Sequence, residues 1–504
     1  MHPVERIDLG GAEWRLREID GVTEALPATV PGTVHTDLMA AGRIPDPHVG
    51  VNEDAVRWVA ERDWSWSRDF EVAAGTLARG RVELVFEGLD TAARVLLNGE
   101  EIAESDNMYV PLRVDVKDRL RPGVNGLEVR IESPVRLRRQ REETVGLKLR
   151  QGQGKAAAYL RKAPYSFFWD WGPELPTSGI WKPVFLEAFD ARLTDVWPRV
   201  ELADDFGSAA VHVAAELITA DGFDGQLELR LSGPGVEVTA REELSVTAGD
   251  SVREVRLEVE APELWWPNGY GQQPLYDLEA RLVSGGTEVD SCSRRLGFRR
   301  VDLVREPDER GESFLFRVNG LPVFCRGANW IPDDSFLPRI DRGSLARAVD
   351  MAAGAHMNML RVWGGGVYES EGFYDLCDER GILVWQDFIF ACGMYPDHLD
   401  WFRESVRREA EANVKRLRGR TCLALFCGNN ECHQGWHEWG WKKSGKWDRF
   451  YGERLYHEVL PEVVSRLAPG IAYWPGSPWG GDPPNCQDVG DTHYWGVWHR
   501  RQLA

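Results

Sequence analysis

An amide and a carboxylate stand side by side at Asn430-Glu431, closing the run Phe426-Cys427-Gly428-Asn429-Asn430-Glu431. The run continues an apolar segment, Thr421-Cys422-Leu423-Ala424-Leu425, that reads as a strand. In a βα barrel the ends of the strands carry the reacting groups. A carboxyl there can protonate a glycosidic oxygen, a poor leaving group until protonated, and that task calls for a raised pKa. An adjacent amide can bind a sugar 2-hydroxyl, a contact that strengthens as the ring gains oxocarbenium character. The plainer alternatives are a strand-end ion pair for Glu431 and a loop cap for Asn430. The retaining form of this chemistry needs a second carboxylate, and no convincing one follows Glu431.

The elements that position such a pair belong to a long chain. Its 504 residues suffice for about three domains. The composition, 43% hydrophobic and 28% charged, is that of a soluble globular protein. A net charge of −20 argues against nucleic acid or an anionic membrane as partner. No apolar run approaches the roughly 20 residues of a membrane span, and the start, Met1-His2-Pro3-Val4-Glu5, does not read as a signal peptide. Eight cysteines without a regular framework read as reduced thiols, which gives a cytoplasmic expectation. Cys422, Cys427, Cys432 and His433 crowd the reactive stretch, but strand alternation separates the sulfurs and no Cys-x-x-Cys pair is present, so no metal is expected.

Three regions differ in pattern. Residues 1–190 carry short alternating runs, such as Arg81-Val82-Glu83-Leu84-Val85-Phe86 and Leu127-Glu128-Val129-Arg130-Ile131, with a tight-turn signal at Asn98-Gly99. A β-sandwich is the natural closure. Residues 191–302 alternate again, as in Leu227-Glu228-Leu229-Arg230-Leu231, and fit a smaller immunoglobulin-like sandwich serving as a spacer. From 303 to 504 apolar runs alternate with helical segments near 342–354, 370–380, 400–418 and 449–467. Strands are expected at 323–330, 357–363, 382–387, 421–427, 472–474 and 491–495. Six βα-type strands imply a parallel sheet and an incomplete barrel, since closure takes eight.

At this point the chain resembles glycoside hydrolase family 2, and within it the β-mannosidases. The first sandwich carries Pro31-Gly32-Thr33-Val34-His35-Thr36-Asp37-Leu38 and Phe86-Glu87-Gly88-Leu89-Asp90-Thr91, the second Leu264-Trp265-Trp266-Pro267-Asn268-Gly269-Tyr270-Gly271. The barrel carries Arg326-Gly327-Ala328-Asn329-Trp330-Ile331-Pro332, Arg361-Val362-Trp363-Gly364-Gly365-Gly366 and the run ending at Glu431. Trp169-Asp170-Trp171-Gly172, the trio Trp436, Trp439 and Trp441, and Gly490-Asp491-Thr492-His493-Tyr494-Trp495 point to the mannosidases rather than to their galactosidase and glucuronidase relatives.

The resemblance implies a jelly-roll-like sandwich, an immunoglobulin-like sandwich and a (β/α)8 barrel, acting on β-mannosides or manno-oligosaccharides without a cofactor. It implies Glu431 as acid/base and Asn430 at the 2-hydroxyl. Asp170 would reach across from the first sandwich to the sugar, the alternative being an interdomain salt bridge. Trp363, Trp439 and Trp495 would wall the site, with His493 beside them; Arg361 would position Glu431 or a neighbouring carboxylate, the alternative being a structural barrel arginine. The other tryptophans among the chain's 22 are read as core or interface residues rather than sugar contacts.

The resemblance also implies a nucleophile at the end of a seventh barrel strand, in a Ser-Glu-Phe-Gly-like motif. No such motif follows Trp495, and the pattern departs from the family just after Trp498. The expectation is a truncated chain with an open parallel edge, unable to complete a double displacement alone. The open alternatives are a split enzyme completed by a separately encoded C-terminal fragment, another family 2 exo-β-glycosidase, and a non-catalytic carbohydrate-binding remnant.

Overall fold

Alternating burial builds both sandwiches. The strand Gly123–Ile131 buries Asn125, Leu127, Val129 and Ile131, while the residues between them are less covered. In this computed structural model, which describes residues 2–21, 24–152 and 158–496, that strand lies inside a six-stranded antiparallel sheet. The spatial order is Leu26–Val30, Gly11–Glu18, Trp64–Val72, Gly123–Ile131, Ala93–Leu97, Glu100–Ser105. A four-stranded sheet, Glu5–Asp8, Val184–Phe189, Arg81–Phe86 and Leu112–Asp115, completes the first sandwich. Trp14, Trp66, Phe86, Leu97 and Val129 belong to one core cluster. The turn expected at Asn98-Gly99 closes the pair Leu97↔Glu100, both turn residues having positive φ, 53° and 86°.

The second sandwich packs a three-stranded sheet (Ala191–Leu202, Ser208–Thr219, Gly249–Glu260) on a four-stranded one (Val236–Val246, Phe223–Gly233, Tyr276–Ser284, Thr287–Leu296). Its own core includes Val211, Leu229, Leu257, Tyr276 and Phe298.

The last part is a parallel sheet in sequential order: Gly327–Trp330, Met359–Val362, Leu383–Asp387, Leu423–Cys427 and Ala472–Trp474. The third and fourth strands are buried at every position, the fourth as a continuous apolar run and the third with Gln386 and Asp387 at its end. Helices Arg342–Gly354, Glu371–Arg380 and Asp400–Leu417 cover them. The last buries Phe402, Val406, Glu409, Ala410, Asn413, Val414 and Leu417, a helical stripe. No helix among the described residues is long and apolar enough to cross a membrane.

Three expectations need correction. The parallel sheet has five strands among the described residues, not six. The segment expected as a strand at 491–495 makes a single bridge, Trp479↔Asp491. Side-chain bonds hold it instead: the Asp491 carboxylate accepts from Trp474 Nε1 at 2.7 Å, the Trp479 amide at 2.9 Å and Ser477 Oγ at 2.5 Å.

The strand expected at 323–330 is divided. Leu321–Val323 pairs antiparallel with Leu315–Val318, and only Gly327–Trp330 joins the parallel sheet. A Cβ at Gly327 would stand 1.8 Å from the Met359 carbonyl, so only glycine fits there.

The helix expected at 449–467 begins at Glu453 and is interrupted by a wider, π-type turn, Leu455–Val459, before Leu460–Leu467. Pro461 lacks the N–H that a continuous α-helix would use. Trp498 and the residues after it lie outside the described residues.

Candidate active site

The fourth parallel strand ends at Cys427, and the chain then passes through Gly428, Asn429 and Asn430 before the short helix Cys432–Glu438. Neighbouring loops fix each step. The Asn430 amide donates to the Phe390 carbonyl at 2.9 Å, and the Glu431 amide to the Ser477 carbonyl at 2.8 Å. Asn429 Oδ1 accepts from the Cys432 amide at 2.9 Å, capping the helix start. Glu431 itself is left-handed, φ 57° and ψ 10°. That conformation costs a glutamate roughly 1–2 kcal/mol, and the flanking bonds hold it.

Glu431 faces a cavity of about 620 Å³. Asp170, Asn430, Trp363, Trp439, His493 and Trp495 line the same cavity, so seven of the eight residues singled out from sequence meet in one place. The contribution from the first sandwich has a local cause. Phe167–Trp169 and Gly172–Glu174 form a two-stranded hairpin whose turn is Asp170-Trp171. The hairpin base is tied to the barrel, since the Tyr165 amide donates to the Gly365 carbonyl at 3.2 Å. Asp170 is exposed to the cavity and takes no ion pair with any described residue. Trp169 packs edge-on to Trp363, with centroids 4.8 Å apart, and Trp171 stands 6.1 Å from the same ring. On the far wall Trp439 meets Trp441 edge-on at 5.5 Å.

Arg361, counted with the substrate-binding residues as one that positions Glu431 or a neighbouring carboxylate, does not itself line the cavity among the described residues. Its guanidinium is committed to protein. It pairs in fork fashion with Asp387, at 3.2 and 2.8 Å, and donates to Asn430 Oδ1 at 3.1 Å. Asp387 is fully buried and also accepts from Trp385 Nε1 and the Gly364 amide, each at 2.9 Å. Burial works against the Arg361 charge, but Asp387 outweighs it, so its pKa lies above the ordinary value.

The electrostatics of Glu431 also differ from expectation. Burial pushes its carboxyl up, but a 2.7 Å hydrogen bond with His493 Nδ1, the charge of that ring, the Cys392 thiol at 3.3 Å and the charge of Arg361 pull it down further. The net direction is below the usual carboxylate range, not the raised value that acid catalysis calls for. In turn, burial and the Glu431 charge hold the Cys392 thiol well above its ordinary value.

Sequence reasoning did not single out Cys392, Asn329 or Gln434, which line the cavity, or Asp387, Ser477 and Asp491, which anchor its floor. Asp387 ends the third strand as Cys427 ends the fourth, so strand-end position was an available signal for it. Cys392 carried none. Glu431 and Asp170 are the two carboxylates among the described lining residues.

Comparison with known proteins accords with this geometry. Residues 14–182 match the family model described as glycosyl hydrolase 2 galactose-binding domain-like, and residues 191–299 match glycosyl hydrolases family 2. Beta-mannosidase B of Emericella nidulans is 40% identical over 494 residues, covering 94% of this chain and 57% of that protein. Beta-mannosidase B of Aspergillus fumigatus is 39% identical over 504 residues, covering 97% and 59%. The crystal structure of a β-D-mannosidase from Dictyoglomus thermophilum superposes with a TM-score of 0.93 at 43% identity, over 99% of this chain and 61% of that one. An exo-chitosanase from Amycolatopsis orientalis, with TM-score 0.70 and 18% identity over 94% and 53%, shares the fold. This chain spans about three fifths of the length of the mannosidases it matches. With two family domains in tandem and relatives about 40% identical along almost all of its length, the chain belongs to glycoside hydrolase family 2.

Proposed function

We propose that this chain supplies the sugar-binding and acid/base part of an exo-acting β-mannosidase, which removes non-reducing terminal β-mannose with retention of configuration. In this reading residues 1–190 deliver Asp170 and the walls Trp169 and Trp171, residues 191–302 act as a spacer, and residues 303–504 carry the reacting groups. The single observation that carries it is the meeting of Glu431 and Asn430 with Asp170 in one tryptophan-walled cavity. Relatives named beta-mannosidase support the choice of sugar.

Glu431 protonates the glycosidic oxygen as the bond to the anomeric carbon breaks, and later deprotonates the incoming water. Asn430 holds the 2-hydroxyl, and Asp170 accepts from hydroxyls farther round the ring. The second carboxylate, which should stand roughly 5–5.5 Å from Glu431, is assigned to the part of the relatives' length that this chain does not span. Such a neighbour would raise the Glu431 pKa by like-charge repulsion, which reconciles its lowered value in this chain with an acid role.

The test is calorimetric binding of mannose-configured iminosugars to the 504-residue chain, against gluco- and galacto-configured isomers. Preference for the manno isomer, lost in Asp170→Ala, is expected. Preference for another isomer would move the assignment to a different family 2 exo-glycosidase. In a form carrying the rest of the barrel, Glu431→Gln should slow poor leaving groups far more than activated aryl mannosides. Equal slowing of both would remove the acid role, and manno-selective binding with no turnover would leave a carbohydrate-binding protein.

A further inference from the structure

The hydrogen bonds behind Glu431 form an unbroken chain whose donors can be counted. Asp491 Oδ1 accepts from Trp474 Nε1 and the Trp479 amide, which marks Asp491 as an acceptor carboxylate. Its other oxygen lies 2.5 Å from Ser477 Oγ. A serine hydroxyl has one proton to donate, and here it goes to Asp491. Ser477 Oγ must therefore accept in its remaining contact, 2.9 Å from His493 Nε2, so Nε2 carries a proton. The other ring nitrogen, Nδ1, stands 2.7 Å from Glu431 Oε1. With Nε2 protonated, two arrangements satisfy that bond. Either Glu431 is the acid and donates to a neutral imidazole, or the imidazolium donates to a Glu431 carboxylate. Both contain one proton between Nδ1 and Oε1.

The ring is held for this. Asn485 brackets the His493 backbone, accepting from its amide at 2.9 Å and donating to its carbonyl at 3.0 Å. The other groups facing the pair are the Cys392 thiol, which donates to Glu431 Oε2, and Arg361. Arg361 Nη1 lies 3.4 Å from His493 Nε2 and can only donate. It therefore defines the rival arrangement, in which Nε2 is bare and Nδ1–H faces a permanently ionised Glu431. Its closer bonds run to Asp387 and Asn430, and the Ser477 contact is shorter.

We propose that His493 is the proton partner of Glu431, the two residues holding one titratable proton that passes between Nδ1 and Oε1 while Ser477 and Asp491 keep Nε2 protonated. Transfer from the imidazolium to Glu431 leaves a neutral Nε2–H imidazole and a neutral carboxyl; no other atom changes. The shared proton stands on this hydrogen-bond chain alone. Its meaning for catalysis, return of the proton to Glu431 before each departure of a leaving group, rests on the acid/base reading above. His493 is thus a positioning residue rather than a sugar contact.

The test is nitrogen NMR of the 504-residue chain labelled with ¹⁵N-histidine, with the His493 signals identified by their loss in His493→Gln. Nε2 should stay protonated across the titration. In the wild-type chain the Nδ1 shift should lie between the protonated and bare extremes, and Glu431→Gln, which cannot take the proton, should move it to one of them. A neutral Nδ1–H tautomer in the wild-type chain, or an Nδ1 shift unmoved by Glu431→Gln, would overturn the proposal. Ser477→Ala gives an independent arm: it should release the Nδ1–H tautomer, and an unchanged tautomer would refute the assigned direction of the chain. Absence of mannose-selective binding alongside an intact coupling would reject the mannosidase reading and leave the proton pair standing.

Discussion

Arg361 donates to the side-chain oxygen of Asn430 at 3.1 Å, and this bond orients the amide. A guanidinium cannot accept, so the oxygen must face it. The amide nitrogen is then the end left for the cavity. One of its hydrogens goes to Cys392 Sγ at 3.3 Å, and the second is free to meet a sugar hydroxyl. On the function proposed above, Asn430 would donate to the 2-hydroxyl rather than accept from it.

Asn430→Asp tests that polarity. The carboxylate would keep the bond from Arg361 and preserve shape, but it has no donor. Affinity for a mannose-configured iminosugar should fall about tenfold, near the worth of one well-placed hydrogen bond, with the thermal midpoint little changed. Calorimetry on both proteins decides it, and undiminished affinity would mean that Asn430 accepts or does not touch the sugar.

A buried ion pair joins the first sandwich to the barrel. Arg161, on the first sandwich, forks onto Glu409 of the long barrel helix at 2.7 and 2.6 Å, and both side chains are almost wholly buried. Tyr368 and Asn107 complete the carboxylate's partners, at 2.9 and 3.0 Å. Arg161→Met alone should destabilise the fold by about 3–5 kcal/mol, because it strands the Glu409 charge in the interior. Arg161→Met with Glu409→Leu should recover much of that loss. Urea unfolding of both variants checks this, and a double variant no better than the single one would show that the pair itself holds the sandwich to the barrel.

Glu369 gives the fold a pH dependence with a defined sign. It is buried, with Trp330 Nε1 donating to it at 3.0 Å, and burial raises its pKa from 4.5 to about 7. Between those values the folded chain keeps a proton that the unfolded chain has lost, so stability falls as pH rises. The loss begins near the unfolded value and is complete once pH passes about 7. Its size is about 3 kcal/mol as an order of magnitude. Glu369→Gln, which keeps an acceptor for Trp330, should match the wild type near pH 5 and exceed it in stability at pH 8. Equal stability at both pH values would mean that Glu369 is solvated as a carboxylate.

Local pattern was legible in the chain wherever one residue's neighbours decide its conformation. Asn98-Gly99 announced its hairpin, and the apolar run ending at Cys427 announced a buried parallel strand carrying Glu431 beyond it. The aromatic segment at 491–495 misled for the opposite reason. Its composition suits a strand, but Trp474, Ser477 and Trp479 fasten Asp491 by side-chain bonds, and no ladder forms. The lowered pKa of Glu431 was equally unreadable. It depends on His493, 62 positions away, and on Cys392, 39 positions away, whose proximity only the folded chain creates.

The tryptophans of the cavity divide into two kinds, and one pair of variants separates them. Trp363 is 8% exposed and packs against Trp169, whereas Trp439 is 43% exposed at the cavity rim. Truncating the first removes a core ring, so Trp363→Ala should cost about 3–5 kcal/mol of stability. Truncating the second removes little buried surface from the protein alone. On the function proposed above a sugar would stack on its ring, so Trp439→Ala should leave the urea midpoint nearly unchanged and weaken iminosugar binding several-fold. The two measurements must be made on both variants. A Trp439→Ala protein that binds as tightly as wild type would make that ring a surface feature of the loop, and would leave the sugar to Trp363, Trp171 and the polar floor.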